Sequence, residues 1–362
     1  MEKETLVIGG GAIGLYLASK LKGTTILDQR EKIGKPVRCT GILTKEAEKV
    51  LSVKTLQRIS LNTIHSARII GPTKEAKLKI ASNYIIDNSA FEEELANRAV
   101  KNEGEIKTQH KYLWTSEKGH HVKNLKTGKE KIFLQKKIVG VDGPHSQVNK
   151  AFAINKKSKN YFGIQVRMKV KEHTNEIKFY PHIGVYAWYV PEGKNIARIG
   201  VCVKAGDKPQ ELLATFLKRF KGRVIETQAG YIPYYKPTHK HKGQIGMFEA
   251  SLLGDAGRHI KNTTGGGLVP GMKAAKHFAE TGNTRNIKLK RELYSHFLVH
   301  NLLKTANRKD WDKIIMTAQK SARVFEQTNR DNVLGLISKV AMNKTLLTYG
   351  LKKILSGKVR II

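Results

Sequence analysis

Near the start of the chain, Gly9-Gly10-Gly11-Ala12-Ile13-Gly14 carries the spacing G-x-G-x-x-G. Thr5-Leu6-Val7-Ile8 before it reads as a short buried strand, and Leu15, Ala18 and Leu21 after it recur at helical spacing. Thr24-Thr25-Ile26-Leu27 then reads as a second strand with Asp28 at its end. A dinucleotide fold demands this order of strand, glycine turn, helix and strand. Gly9 permits the tight turn, Gly11 lets the backbone approach a pyrophosphate, and Gly14 lets helix and strand pack closely. The start of the helix offers N–H groups and a positive dipole end to phosphates. Asp28 stands where a carboxylate can accept ribose hydroxyls. The turn by itself does not separate a nicotinamide from a flavin dinucleotide.

A second group of residues suited to a cofactor lies far downstream. Ala250-Ser251-Leu252-Leu253 is strand-like and runs into Gly254-Asp255-Ala256-Gly257. Asn262 through Leu268, with Gly265-Gly266-Gly267 inside it, precedes a helix-compatible segment from Gly271 through Phe278. A carboxylate just after a strand can hold a ribityl or ribose hydroxyl. Glycines that open a helix let backbone approach a ring and favour negative charge there, such as reduced flavin carries. Ile138-Val139-Gly140-Val141-Asp142-Gly143-Pro144 is a third strand running into a turn.

These pieces need a scaffold, and 362 residues with 40% hydrophobic and 27% charged residues are enough for a real core. Ile164 through Val170, Ile177 through Tyr180, Val185 through Val190 and Ala197 through Val203 alternate loosely and predict an antiparallel sheet. Tyr186 and Trp188 share a face at period two, either as sheet packing or as a wall of an apolar tunnel. From about residue 291 onward the chain reads helical. Leu336, Ile337, Val340, Leu347, Leu351 and Ile354 form a stripe flanked by lysines, either a core-facing helix or a basic helix on anionic lipid.

Lysine and arginine number 66 against 30 acids, a net charge of +36. That excess fits a polyanionic partner, an anionic surface, or a lysine-rich solvated exterior. Two cysteines, Cys39 and Cys202, exclude a disulfide framework and a four-cysteine zinc site, and point to a reducing cytoplasm. No apolar run approaches the ~18–20 residues of a membrane-spanning helix, and the first residues do not read as a signal peptide. His239-Lys240-His241 reads as a solvated loop, because no further ligand stands at metal spacing and Lys240 repels a cation, so no metal is expected. No Gly-x-Ser-x-Gly motif is present.

Taken in order, the Gly9–Gly14 turn, Val141-Asp142-Gly143 and Gly254-Asp255 resemble FAD-dependent enzymes of the hydroxybenzoate-hydroxylase-like superfamily. Within it the chain resembles the geranylgeranyl reductase family, notably the archaeal digeranylgeranylglycerophospholipid reductases. Gly34-Lys35-Pro36-Val37-Arg38-Cys39 is similar to that family's G-x-P-V-R-C segment. Tyr186 through Pro191 is similar to its Y-x-W-x-F-P segment, and Leu253 through Leu268 to its G-D-A…T-G-G-G-I segment. The chain departs from the pattern where Thr40-Gly41 follows the cysteine directly, where Asn88 replaces an arginine, and where Ile183 replaces a proline.

The resemblance implies an α/β (α+β) fold. It has a discontinuous Rossmann-like FAD-binding domain over residues 1–160 and 245–285, an antiparallel-sheet substrate domain over 161–244 and a helical region over 286–362. It implies FAD as cofactor, with Gly14 at the pyrophosphate beside Gly9 and Gly11, and Asp28 at the adenosine ribose. Cys39, Thr40 and Gly41 would lie along the flavin, with Asn88 at the position of the family's arginine. Asp255 would hold the ribityl chain or adjoining phosphates, and Gly267 and Leu268 would approach the isoalloxazine. Tyr186 and Trp188 would line the substrate cavity.

The implied activity is saturation of prenyl double bonds, those of archaeal-type ether lipids, by an enzyme in the cytoplasm and peripheral at an anionic membrane. An isolated trisubstituted alkene has no carbonyl to polarise it, so a proton as well as a hydride is needed. Cys39 is the candidate proton donor or flavin contact, or else a small buried residue without chemistry. Cys202 reads as core. Ferredoxin and NAD(P)H both stand open as electron donor. Two other functions fit the residues: an FAD monooxygenase or other flavin oxidoreductase on this scaffold, and a basic nucleic-acid-binding flavoprotein, which charge alone supports.

Overall fold

A computed structural model describes residues 5–156, 159–171 and 174–327. The lysine-flanked stripe from Leu336 to Ile354 lies outside the described residues. The chain divides into two compact units, each assembled from three separate segments.

The first unit comprises Met1–Val37, Asp87–Lys159 and Pro233–Leu293. Its main sheet has six strands, in the order Lys242–Ile245, Phe248–Leu252, Lys137–Gly140, Thr5–Ile8, Thr24–Leu27 and Glu105–Lys107. Pairing is parallel except at the Lys242–Ile245 edge, which is antiparallel. Thr5–Ile8 and Thr24–Leu27 are buried at every position, as strands covered on both faces must be. Helices Ala12–Ala18, Asn88–Lys101 and Leu268–Thr281 pack together, burying Leu15, Leu17, Phe91, Leu95, Met272 and Ala275. A three-stranded antiparallel sheet of His110–Ser116, Gly119–Asn124 and Glu130–Phe133 packs against the main sheet through Tyr112, Val122 and Phe133.

The second unit comprises Arg38–Ile86, Asn160–Ile232 and Tyr294–Ile362. Eight strands form one sheet, in the order Gly222–Pro233, Asn160–Val170, Ile196–Val203, Tyr186–Gly193, Ile177–Tyr180, Ser60–Ile70, Glu75–Ile86 and Ile42–Thr44. The antiparallel strands expected between residues 164 and 203 are all present, and Ile177–Tyr180 joins Ser60–Ile70 in parallel. One face buries Val166, Ala187, Tyr189, Ile199 and Val201 with Leu213 and Phe216 of helix Pro209–Leu217. The opposite face carries Gln165, Tyr186, Trp188, Arg198, Gly200 and Cys202, since directly paired residues of antiparallel strands share a face. Helices Ile287–Leu303, Arg308–Lys320 and Ala322–Gln327 make up the described part of the helical region expected over 286–362, the first of them beginning in the first unit's last segment. Among the described residues no helix is long and apolar enough to cross a membrane.

Candidate functional site

Of the three glycines of the G-x-G-x-x-G pattern, Gly9 and Gly14 are demanded by packing. A β-carbon on Gly14 would come 2.0 Å from the Gly9 carbonyl oxygen, and one on Gly9 would come 2.5 Å from the Val141 carbonyl oxygen. Gly9 also has φ +112°, a conformation only glycine adopts readily. Gly11 is different. Its φ of −75° suits any residue, and a β-carbon there would meet nothing nearer than Glu92 Oε1 at 3.9 Å. It stands at the start of helix Ala12–Ala18 with no side chain capping the helix.

Asp28 is buried at the end of its strand, as expected. Its Oδ2 accepts the Gly10 N–H at 2.7 Å, and its Oδ1 accepts the Arg30 N–H at 2.7 Å. The Arg30 guanidinium closes on the same carboxylate at 2.9 to 3.1 Å and donates to the Gly10 carbonyl oxygen at 2.7 Å. Glu92, one turn into helix Asn88–Lys101, completes the network. Its carboxylate accepts from Ala12 N–H at 3.2 Å, Gly34 N–H at 3.1 Å and Arg30 Nη1 at 3.0 Å. One acid thus ties the glycine turn to the loop after the second strand. Sequence reasoning missed Arg30 and Glu92. The Asp28-x-Arg30 spacing was a signal for the first, and nothing but position marked the second.

The downstream motif folds back onto this turn. A β-carbon on Gly254 would lie 3.2 Å from Ile13 Cγ1, and one on Gly271 would lie 2.7 Å from Ile13 Cδ1. Ile13 belongs to the glycine turn, so the two motifs, about 240 residues apart in sequence, are adjacent in the unit. Asp255 and Gly267 also meet, because a β-carbon on Gly267 would fall 2.9 Å from Asp255 Oδ1. Burial among protein atoms pushes the Asp255 carboxyl up to about 6, while nearby Arg258 pulls the other way. Arg258 donates to the Pro144 and Lys159 carbonyl oxygens, fixing the loop. Leu268 begins helix Leu268–Thr281, with Gly267 as its uncapped N-cap.

Asp142 supports a helix start, where its Oδ2 accepts from the Gln147 and Val148 N–H groups of helix Gln147–Ala151. Asn88 is the half-buried first residue of its helix, and the neighbouring Asp87 is the cap. The histidines of the expected solvated loop are instead half-buried. His241 bonds the Gly257 carbonyl oxygen through Nε2 at 2.9 Å and stacks on buried His259. Burial lowers the pKa of all three histidines, with His239 at about 4.

In the second unit, Arg38 through Gly41 is anchored to the polar face of the sheet. Thr40 Oγ1 donates to Gln165 Oε1 at 2.8 Å, the same oxygen that accepts from Trp188 Nε1 at 3.1 Å. Gln165 in turn donates to Gln228 at 2.7 Å. The Thr40 carbonyl oxygen accepts from Arg198, which also reaches the Ile86 carbonyl oxygen at 3.0 Å and Glu192 at 2.9 Å. Arg167 pairs with Glu192 too, and despite its burial the two cations hold that carboxyl below the usual range. Gln165, Glu192 and Arg198 went unmarked in the sequence, although Arg198 inside an apolar strand was an anomaly that needed partners.

Cys39 is exposed, which removes the reading of a small buried residue. Its Sγ accepts the Gly41 N–H at 3.4 Å. Cys202 is buried core, as expected, and bonds the Tyr186 hydroxyl; burial raises this thiol to about 12 and the phenol well above its ordinary value. Tyr186 and Trp188 do share a face, with rings 5.9 Å apart and Phe179 5.5 Å from Tyr186. Trp188 lies across Gly200, where a β-carbon would come 2.4 Å from the indole.

No family model matches the chain. A protein of Methanosphaera stadtmanae named digeranylgeranylglycerophospholipid reductase 3 is 25% identical over 98% of this chain and 99% of its own. Another of that name from Methanocella arvoryzae is 28% identical over 75% of this chain and 76% of its own. Among solved structures, a geranylgeranyl bacteriochlorophyll reductase-like protein from Thermoplasma acidophilum superposes with a TM-score of 0.79, at 20% identity over 96% of this chain and 98% of that one. The family resemblance drawn from the motifs is therefore borne out, by one relative along 98% of the chain and by the other along 75%. The fold is that of the geranylgeranyl bacteriochlorophyll reductase-like protein.

Proposed function

We propose that this chain is an FAD-dependent oxidoreductase that saturates prenyl double bonds, with archaeal-type ether phospholipids as its substrate class. One observation supports the cofactor above others. Gly11 has an ordinary backbone conformation and room for a β-carbon, so the fold does not require a glycine there. A ligand that presses on the backbone does require it. The adjoining Gly254–Leu268 loop, with Asp255 set against Gly267, suits the same extended dinucleotide.

When bound, the flavin supplies the hydride equivalent for the reduction. In this reading Gly9, Gly11 and Gly14 carry the pyrophosphate segment, and Asp28 fixes both the turn and the ribose end. Asp255, Gly267 and Leu268 carry the ribityl and ring end. By resemblance, Cys39, Thr40 and Gly41 are assigned to the flavin, with Asn88 as the substituted member of that set. Trp188, with buried Tyr186 packed against it, offers apolar ring surface to a prenyl chain, which favours dry walls that exclude water from a cationic centre. Cys39 Sγ is the proposed proton donor. An enzyme acting on a membrane lipid works at the membrane surface, and the charge of +36 favours an anionic one. The electron donor is an external reductant.

The test is incubation of the purified, FAD-loaded protein with an unsaturated prenyl ether lipid and a strong chemical reductant. Mass spectrometry should record the gain of one H2 per double bond. Colourless protein that takes up no added FAD, or unaltered lipid with flavin bound, would overturn the reading.

A further inference from the structure

The three-stranded sheet of the first unit has two unlike faces. Tyr112, Thr115, His120, Val122 and Phe133 point inward and are buried. The register pairs Trp114 with His121 and His121 with Ile132, so these three share the outer face. Trp114 is 47% exposed and Ile132 42% exposed, and the Trp114 and His121 rings stack with centroids 4.8 Å apart. Leu134, just past the last strand, is 63% exposed. Leu134 and Ile132 converge over Gly119, where a β-carbon would lie 3.1 Å from Leu134 Cδ2 and 2.5 Å from Ile132 Cγ2.

A half-buried antiparallel sheet ordinarily turns polar residues outward. Here the outward face presents an indole and two branched aliphatic side chains in one patch, and such patches mark interaction surfaces. The segment that forms the sheet carries an excess of lysine. From His110 through Lys137 there are eight lysines and two glutamates. Lys111 and Lys123 are paired on the patch's own face, with Glu130 opposite Lys123, and Lys118 is exposed beside Glu117 in the adjoining turn.

We propose that this outer face is the surface by which the chain docks on an anionic lipid bilayer. Trp114 has the amphipathic ring that settles at the level of lipid headgroups, and Ile132 and Leu134 provide aliphatic surface for the acyl boundary. Lysines around the patch meet the negative headgroups. Nucleic acid fits less well, since bases stack on planar rings and two of the three exposed apolar groups are aliphatic. The inference deepens the proposed lipid-reductase function and rests on it for the reason to dock. The physical contact itself can be measured separately.

The experiment uses the full chain loaded with FAD. Sedimentation with vesicles of phosphatidylcholine alone, and of phosphatidylcholine mixed with phosphatidylglycerol, gives a partition coefficient for each. The wild type should bind only the anionic vesicles. A triple variant, Trp114→Ser with Ile132→Ser and Leu134→Ser, should lose at least about tenfold in partition, as should Lys111→Glu with Lys123→Glu. Both variants alter exposed or half-exposed positions, and an unchanged thermal midpoint confirms their fold. Binding that survives in both variants, or no vesicle binding by the wild type, overturns the proposal. So does a dimer that dissociates in the triple variant, or RNA binding that depends on the same residues without vesicle binding. Reduction of a detergent-dispersed prenyl substrate should be equal in wild type and variants. Its absence in all of them, with vesicle binding intact, would instead refute the function and leave the docking face in place.

Discussion

Glu92 Oε2 lies 3.0 Å from Arg30 Nη1, and the other oxygen of that carboxylate accepts from Ala12 N–H in the glycine turn. A half-buried acid on a distant helix therefore sets the geometry of the turn proposed to hold the pyrophosphate. Glu92→Ala should leave Arg30 one partner short and lower stability by about 1–3 kcal/mol. It should also weaken FAD retention by roughly tenfold, while Glu92→Gln, which keeps the acceptor for Ala12, should fall between. Fluorescence titration of the apoprotein with FAD and thermal melts of the apoprotein check both effects.

Alanine at the two glycines should separate packing from ligand contact. Gly14→Ala would force a β-carbon 2.0 Å from the Gly9 carbonyl oxygen, and expression should yield little folded protein. Gly11→Ala should fold with a melting point within about 2 °C of wild type, yet bind FAD at least about tenfold more weakly. Equal FAD affinity in Gly11→Ala would remove the glycine turn from the site.

Asp255 gives a pH dependence with a definite sign. Its carboxyl titrates at about 6 in the folded chain, above the unfolded value near 3.8. The folded chain holds the proton more tightly, so stability is full below about pH 4 and falls as pH rises through about 6. The loss is of the order of 1–3 kcal/mol. Asp255→Asn removes it. In apoprotein melts from about pH 4 to pH 7.5, the variant should gain on the wild type as pH rises. A constant difference across that range would contradict the placement of this carboxyl.

The two thiols should differ in reactivity. Cys39 is exposed and Cys202 is buried with its thiol raised to about 12. A thiol reagent at neutral pH should label one cysteine in the native chain and a second only on unfolding, read by intact mass and peptide mapping. Rapid native labelling of Cys202 would contradict the packing of the sheet.

Arg198 should be costly to remove. It is buried and serves Glu192, the Ile86 carbonyl oxygen and the Thr40 carbonyl oxygen together. Arg198→Ala should destabilise by about 3–5 kcal/mol, since Glu192 is left with Arg167 and two buried carbonyls lose a donor. Chemical denaturation measures it.

The strand, turn and helix of the first segment were legible because each is a local pattern. A four-residue apolar run, glycines at fixed spacing and a period of 3.6 need no distant partner to be recognised. The strands between Ile164 and Val203 were legible for the same reason. Glu92 and Arg198 were not, because each acts through partners far away in sequence: Ala12 and Gly34 for the first, Thr40 and Ile86 for the second. The half-burial of His241 was hidden likewise, since it comes from stacking on His259 and a bond to Gly257. Lys240 between the two histidines is exposed and gave no hint of it.

The contrast between Gly11 and Gly14 bears on how descendants of such a chain will drift. Gly14 is trapped by its own neighbour and will persist in any lineage that keeps the fold, whatever chemistry that lineage abandons. Gly11 is free to acquire a side chain the moment nothing presses on its backbone. In the proposed reading, a side chain at that one position among relatives is the mark of a scaffold that has retired its cofactor.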